Sequence, residues 1–228
     1  MATMFWGNVY YKDSQVKKGE QGYYVGKLQE EPGNRYSFTY DPSYIQAGHP
    51  AIAYNLPLRQ EPHISEYSLH PFFDNLVAEG WLAKAQARAL GVDPNNRFAL
   101  LLGFGHDLAG AVSIIDPKPQ KIHLEDFDET TKIILQGHAS LSGIQRKLLA
   151  VKEDGKYRPV KPHELSTHFI KLTSNILPDL IELEYLSTLA AKKLLPHDQI
   201  VEMEINFIPA IKEHGLIITR FDRNQSGK

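Results

Sequence analysis

The chain has 228 residues, of which 42% are hydrophobic and 23% charged, so it is long and apolar enough to fold around one or two hydrophobic cores. Its 25 basic and 27 acidic residues leave a net charge of -2, which argues against a surface that binds nucleic acid over its whole extent. The absence of cysteine excludes disulfides, thiolate zinc sites and catalytic thiols; the histidines are scattered without a metal-binding spacing, and the longest apolar run, FALLLGFG, is too short to cross a membrane.

The first 60 residues are predicted to form short strands separated by turns. The strands are MFWGNVYY, GYYVGKLQ and, after the breaker EEPGN, RYSFTYDPSYI. Alternation in YSFTY places Tyr36, Phe38 and Tyr40 on one face, as a half-buried strand requires. The first strand has no basic region ahead of an apolar core, so it is not a secretory signal, and we expect a cytoplasmic protein.

Helical spacing begins after residue 69. PFFDNLVAEGWLAKAQARALG predicts two short helices, because Gly80 interrupts the apolar pattern and Gly91 closes it. A third helix is expected in DPNNRFALLLGFG, with Asp93 or Asn95 as its N-cap. GAVSIIDP then returns to a strand.

A change of composition marks the expected boundary between two domains. Residues 117–131, PKPQKIHLEDFDETT, are polar and contain prolines, as connections between domains often do. We therefore predict domains at 1–131 and 132–228. The second domain should contain the strands KLLAVKE, YRPVKP, THFIKLT, QIVEMEIN and GLIITRFDR. Its one helix, LIELEYLSTLAAKKLL, has an apolar stripe formed by Leu183, Leu186, Leu189, Ala190 and Leu194.

Lys171 and an acidic residue of this helix are the first candidate functional pair. Phe169 and Lys171 share one face of the strand THFIKLT, so the lysine could face a cleft. Glu184 could reach back to it, with Glu182 as the competing candidate. A glycine-bearing loop, a strand lysine and a helix glutamate follow one another in this order in a protein-kinase small lobe. An amphipathic strand with a solvated lysine explains the same spacing.

The segment GHASLSGIQRKLLAV is the second candidate. Backbone amides around Gly143 could hold an anion, assisted by Arg146 and Lys147. The hydroxyls of Ser140 and Ser142 could contact phosphate or become phosphorylated. A polar turn between strands accounts for the same residues, since neither GxGxxG nor GxxxxGK[ST] is present.

Several motifs, in this order and spacing, resemble HipA-like toxins, the serine/threonine kinases of type II toxin-antitoxin modules of the HipBA and HipBST kind. They are SLSGIQRK, THFIKLT, LEYLSTLAAKKL and ITRFDR. Upstream, PFFDNLVAEGW and GFGHDLAGAVSII resemble the small N-terminal domain of that family, which in some systems is a separate protein. The resemblance implies an α+β fold, in which a small N-terminal α/β domain precedes a kinase-like small lobe of antiparallel sheet plus helix. It also implies a phosphoprotein that takes part in persistence.

By the same resemblance, the chain contributes one side of an ATP site. The residues implied to contact ATP are Ser142, Gly143, Ile144, Gln145, Arg146, Lys147, Lys171, Thr219, Arg220 and Phe221. Adenine would meet the backbone of residues 219–221, where Thr219 departs from the acidic residue expected there. Ser140, with Ser142 beside it, matches the autophosphorylation position.

A kinase also needs a catalytic aspartate and Mg²⁺-holding side chains, and these belong to its large lobe. Only DRNQSGK follows Phe221, so we expect no catalytic or metal-binding residue here. Our interpretation is a HipA-like protein truncated before the large lobe, inactive alone, with weak or no binding of ATP and Mg²⁺.

The resemblance implies partners as well. A HipB-like helix-turn-helix antitoxin is expected, aminoacyl-tRNA synthetases are the substrate class of the family, and direct contacts with nucleic acid or membrane are not expected. The alternatives are an interaction module that binds the antitoxin or a complementary kinase fragment, and a structural remnant without activity.

Overall fold

The computed structural model describes residues 5–13, 16, 21–137, 145–162, 164–173, 177–196 and 199–223. The chain folds as two compact units, and the division falls between Asp126 and Phe127, within the polar segment 117–131. Within the described part of the chain, no helix has the length and apolar character that crossing a bilayer requires.

Unit 1 is built on a five-stranded antiparallel sheet with the strand order β4-β3-β2-β1-β5. Its elements are β1 (Trp6–Tyr11), β2 (Tyr23–Glu31), β3 (Arg35–Tyr40), α1 (Pro42–Gln46), β4 (His63–Glu66), α2 (Pro71–Asp74), α3 (Gly80–Leu90), α4 (Arg97–Phe104) and β5 (Val112–Ile115). Phe38 and Tyr40 are each 1% exposed, and the Phe38 ring packs edge-on against Phe73 of α2 at 5.2 Å. The predicted burial of Phe38 and Tyr40 is confirmed, whereas Tyr36 is only partly buried and Ser37, on the other face of the strand, is 1% exposed.

Local capping chemistry decides three details of unit 1. DPSYI is not a continuation of β3, because the Asp41 side chain accepts a hydrogen bond from the Ser43 amide and Pro42 begins a helix. The N-cap of α4 is Asn96, whose Oδ1 accepts from the Ala99 amide at 3.0 Å, and not Asp93 or Asn95. Asp93 instead accepts a hydrogen bond from the Asn95 amide, which closes the preceding turn.

Unit 2 contains a second five-stranded antiparallel sheet, with the order β7-β6-β8-β10-β9. Its elements are α5 (Glu129–Gln136), β6 (Lys147–Glu153), β7 (Lys156–Pro159), β8 (His168–Leu172), α6 (Leu180–Ala191), β9 (Met203–Ile208) and β10 (Glu213–Thr219). α6 packs on one face of the sheet, where Ile181 and Leu216 are fully buried together. Two antiparallel sheets with separate helices confirm the predicted α+β class.

One prediction for unit 2 was wrong. Part of the expected connection is a helix, α5, whose start is fixed by Asp128 accepting hydrogen bonds from the amide and the hydroxyl of Thr131. The apolar stripe predicted for α6 faces away from the sheet, since Leu183 and Leu186 are each 59% exposed. The helix covers the sheet with another set of residues, which includes Ile181 and Tyr185.

Candidate functional site

Two lysines lie directly opposite each other on neighbouring strands of unit 2. Lys147 begins β6 and Lys171 lies on β8, and the antiparallel register pairs them. Directly opposed residues project their side chains from the same face of a sheet. Leu216 on β10 is also opposite Lys171, and it is buried against Ile181 of α6. Both lysines therefore belong to the face that α6 covers.

α6 supplies a carboxylate to this face. Lys171 Nζ donates a hydrogen bond to Glu184 Oε1, and the two side chains are 19% and 30% exposed. Glu184 follows the buried Ile181 by three residues, so both lie on the same side of the helix, whereas Glu182 is exposed. Of the two acids considered from the sequence, Glu184 is the one that pairs with Lys171.

The cluster of Lys147, Lys171 and Glu184 carries more positive than negative charge. Burial, and next the charge of Lys171, hold the pKa of Lys147 below its ordinary value of 10.5, while Glu184 acts in the opposite direction. Lys147 Nζ donates a hydrogen bond to the main-chain oxygen of Gln145 at 3.1 Å. Two partly buried cations beside one carboxylate favour the binding of an anion, such as a phosphate group.

The glycine-bearing loop enters the sheet next to this cluster. Ser140, Ser142, Gly143 and Ile144 lie outside the described residues. Gln145 Nε2 donates to the Leu172 carbonyl at 3.3 Å, and the Leu172 amide donates to the Arg146 carbonyl at 3.0 Å. These two bonds fix the end of the loop to the end of β8, one residue beyond Lys171.

The guanidinium of Arg146 lies within reach of a different carboxylate. Arg146 NH2 is 3.9 Å from Asp128 Oδ1, in an exposed pair at the N-cap of α5. The pKa of Asp128 is lowered first by hydrogen bonds from Thr131 and only to a smaller extent by Arg146. The Arg146–Asp128 pair is therefore expected to contribute little to stability, as is usual for exposed ion pairs.

The predicted adenine-contacting stretch continues from β10. The Thr219 amide donates to the Glu202 carbonyl at 2.9 Å, and the Arg220 amide donates to the Thr167 carbonyl at 3.0 Å. The guanidinium of Arg220 is 2% exposed and donates to both carboxylate oxygens of Asp222. The side chain of Phe221 is 92% exposed. The Arg220 side chain is thus part of the interior of unit 2.

A second polar cluster, on the opposite face of the same sheet, was not predicted from the sequence. Tyr157 Oη donates to Glu204 Oε1, and Lys152 Nζ lies 4.9 Å from the centre of the Tyr157 ring. The Tyr157 and His168 rings are 5.1 Å apart. Burial, followed by the charge of Lys152, lowers the pKa of His168. Tertiary packing brings these residues together from four strands, and local spacing carries no signal for it.

No group of three His, Cys, Asp or Glu side chains that could hold a metal ion is found among the described residues. The cluster of Lys171, Lys147 and Glu184 has the net positive charge of an anion site instead.

Comparison with known proteins matches residues 20–115 to the family described as the HipA N-terminal domain. A Haemophilus influenzae protein described as uncharacterized is 35% identical over 97 residues, which are 42% of this chain and 87% of that protein. In Sinorhizobium fredii, "Putative kinase Y4mE" is 28% identical over 226 residues and "Putative kinase Y4dM" is 33% identical over 171 residues. The alignments cover 89% and 69% of this chain, but only 52% and 41% of the two relatives.

The fold has a counterpart among solved structures. A chain from the complex of the Shewanella oneidensis MR-1 toxin-antitoxin system HipA, HipB and its operator DNA superposes with a TM-score of 0.65 at 19% identity. The match covers 96% of this chain and 51% of that chain, so this chain spans about half the length of the longer proteins it matches. At this identity the superposition shows the fold alone. The family assignment rests on sequence: with residues 20–115 matching the HipA N-terminal domain and a Haemophilus relative covered over 87% of its length, the chain belongs to the HipA-like family.

Proposed function

We propose that this chain forms the ATP-site half of a HipA-like serine/threonine kinase from a toxin-antitoxin module. The observation that supports the proposal is the net positive cluster of Lys171, Lys147 and Glu184 on the helix-covered face of the sheet. In protein kinases a strand lysine paired with a helix glutamate binds the phosphates of ATP.

Each residue of the cluster has a distinct part in this proposal. Glu184 holds the Lys171 ammonium in one place, so less side-chain freedom is lost when an anion binds. Lys147 adds a second positive charge. Its pKa should rise towards the ordinary value when a phosphate binds, because the negative charge of the phosphate offsets the unfavourable effects of burial and of Lys171. Gln145 and Arg146 fix the entry of the loop that would close over the phosphates.

We further propose that these 228 residues, on their own, do not transfer phosphate. Phosphoryl transfer depends on a base that orients the acceptor hydroxyl and on Mg²⁺, and both are held by the large lobe of a kinase. ATP binding should accordingly be weak, with a dissociation constant of about 1 mM, which corresponds to a binding free energy of about -4 kcal/mol.

The site is tested by titrating isotopically labelled protein with ATP and following the amide resonances of β6 and β8. We expect saturable shifts near Lys147 and Lys171 at about millimolar ATP, and their loss in Lys171→Met. The matched control is Lys156→Met, since Lys156 is an exposed lysine on β7 of the same unit. Equal titration curves for Lys171→Met and Lys156→Met would show that the cluster is not the phosphate site.

Transfer is tested separately with radiolabelled ATP and Mg²⁺. We expect no labelling of the chain or of an aminoacyl-tRNA synthetase, which is the proposed substrate class of a complete kinase. Ser140 and Ser142 remain the proposed phosphorylation positions, and labelling of Ser140 by the chain alone would contradict the proposal of inactivity.

One observation favours an alternative, an interaction module. The Haemophilus influenzae relative consists almost entirely of the region matched here, because the 97 aligned residues are 87% of that protein. A relative of little more than these 97 residues is too short to be a complete kinase, which favours a binding role for the region it shares with this chain. We propose a HipB-like helix-turn-helix antitoxin as partner, because the structural neighbour comes from a complex that contains HipB, and a complementary kinase fragment as a second partner. Calorimetric titration with each candidate distinguishes them, and no heat with either would count against this alternative.

A further inference from the structure

Large apolar side chains cover the outer face of α6. Leu183 and Leu186 are each 59% exposed and Leu189 is 39% exposed, although Ile181 on the sheet-facing side is fully buried. A helix that is apolar on both sides is typical of a helix covered on both sides. Soluble monomers seldom leave several large apolar side chains exposed side by side. The outer face of α6 therefore has the character of an interface.

Four residues on this face form a pattern with a direction. Glu182, Leu186, Leu189 and Lys193 follow one another at spacings of four, three and four residues, which places them along one side of a helix. Helical turns continue past Ala191, since the Lys193 amide donates to the Ala190 carbonyl at 3.1 Å. We call these four residues the leucine stripe. It has an acid at its start, a base at its end and two leucines between them.

The leucine stripe is complementary to itself when reversed. If a second α6 lies antiparallel, with Leu186 of each copy against Leu189 of the other, the same register sets Glu182 of each copy against Lys193 of the other. Each of these contacts then occurs twice, as a two-fold interface requires. A parallel arrangement would instead place Glu182 against Glu182 and Lys193 against Lys193, which like-charge repulsion disfavours.

We propose that two copies of this chain associate through antiparallel pairing of their leucine stripes. The leucines supply the apolar contact, and the terminal charges select the antiparallel direction over the parallel one. No ion pair joins Glu182 or Lys193 to another residue among those the structure describes, so both charges are available for the contact. Glu184 lies on the other side of the helix with Lys171, so this pairing does not depend on the ATP site proposed above.

Sedimentation equilibrium of the full chain tests the pairing. We expect a concentration-dependent dimer, and a dissociation constant raised by about tenfold or more in Leu186→Asp. Leu177→Asp is the matched control, because Leu177 is 57% exposed but precedes the helix and is not part of the stripe. Circular dichroism of each variant shows whether the fold is retained, as expected for substitutions of exposed leucines.

A charge exchange tests the direction of the pairing. Glu182→Lys should weaken the dimer, and combining it with Lys193→Glu should restore the wild-type dissociation constant to within about threefold. A wild-type chain that stays monomeric at about 100 µM, well above the dissociation constants of weak specific pairs, overturns the proposal. So does a Leu186→Asp dimer as tight as that of Leu177→Asp. If the double exchange is as weak as Glu182→Lys alone, antiparallel pairing is wrong.

Discussion

Removing the carboxylate of Asp222 should destabilise unit 2 strongly, although the residue lies near the end of the described chain. Its two oxygens accept hydrogen bonds from Arg220 at 3.0 and 2.7 Å, and Arg223 donates to it at 3.0 Å. The side chains of Arg220 and Arg223 are only 2% and 6% exposed, so little water reaches either guanidinium. Arg220 also donates to Ser166 Oγ at 2.8 Å, which joins this network to the start of β8.

The size of the effect follows from what remains after Asp222→Ala. Removing one partner of a buried ion pair typically costs about 3–5 kcal/mol, because a buried charge loses its compensation. Asp222 is itself 19% exposed, and water entering the vacated space would solvate the guanidinium in part. We therefore expect a loss near the lower end of that range, about 3 kcal/mol.

Urea unfolding followed by circular dichroism, combined with amide hydrogen exchange in β8 and β10, measures the change in unit 2. Tryptophan fluorescence does not serve here, because Trp6 and Trp81 both belong to unit 1. The matched control is Glu129→Ala, which breaks an ion pair with Lys132 of 2.7 Å in the same unit. The Glu129 side chain is 84% exposed, so its removal should cost less than about 0.5 kcal/mol.

A double variant separates charge compensation from simple loss of contacts. If the cost of Asp222→Ala comes from uncompensated charge, then Arg220→Met in the same chain should recover about 1 kcal/mol or more, despite deleting further hydrogen bonds. A double variant less stable than Asp222→Ala would refute this reasoning, and so would a cost of Asp222→Ala no larger than that of Glu129→Ala.

Three further predictions concern other parts of the fold. Gly26→Ala should destabilise unit 1 by about 3 kcal/mol or more, because the φ of Gly26 is +155° and an added Cβ would lie 2.0 Å from the Thr39 carbonyl oxygen. Gly33 also has a positive φ, +86°, but an added Cβ would meet open space, so Gly33→Ala should cost only about 1 kcal/mol. Unfolding followed by tryptophan fluorescence measures both changes in stability. Burial lowers the pKa of His168 in the folded chain below its ordinary value of 6.5, so the unfolded chain binds more protons than the folded chain just below pH 6.5. Unit 2 should therefore lose stability as the pH falls through that range. His168→Gln should reduce this dependence of stability on pH. Lys147→Met should stabilise unit 2 while weakening its binding of ATP.

Each of the three has an outcome that contradicts it. Equal costs for the glycine variants would show that the close approach between β2 and β3 relaxes freely. An unchanged acid slope in His168→Gln would assign the pH dependence to other groups. For Lys147→Met, the test is the direction in which stability changes with pH. Between the lowered pKa of Lys147 and 10.5, the unfolded wild-type chain holds more protons than the folded chain, so the stability of the wild type rises with pH in this range. The variant should lack that rise.

The alternation of buried residues in strands and the glycines that end helices could be predicted from the sequence, because both depend on residues that are neighbours along the chain. Phe38 and Tyr40 are buried as the alternation in YSFTY predicted, and Gly91 ends α3 in the left-handed conformation at φ 69°. α5 was missed because its apolar residues are few, although Asp128, a residue type favoured at N-caps, lay within the supposed connection.

Periodicity in α6 was recognised from the sequence. A stripe of leucines shows that a face is apolar, and it does not show which surface covers that face. Leu186 is 59% exposed, while Ile181 and Tyr185 pack on the sheet. The Arg220–Asp222 network could not be predicted from local sequence patterns, because its link to Ser166 joins residues 54 positions apart in the chain. Such contacts are set by how the strands assemble.

Two of the charged networks of unit 2 differ in a way that bears on function. In the Arg220–Asp222 network the guanidinium groups of Arg220 and Arg223 are buried, and each is hydrogen-bonded directly to the carboxylate of Asp222, as a structural network requires. Lys147 is different, because burial and Lys171 both disfavour its charge, and an apolar residue opposite Lys171 would pack on the sheet without that cost. A lysine that lowers the stability of the free protein becomes favourable when an anion binds to the cluster, since the negative charge of the anion offsets the cost of burying the ammonium. We therefore expect Lys147 to act through a bound anion and not through folding, in keeping with the phosphate-binding role proposed above for the cluster of Lys147, Lys171 and Glu184.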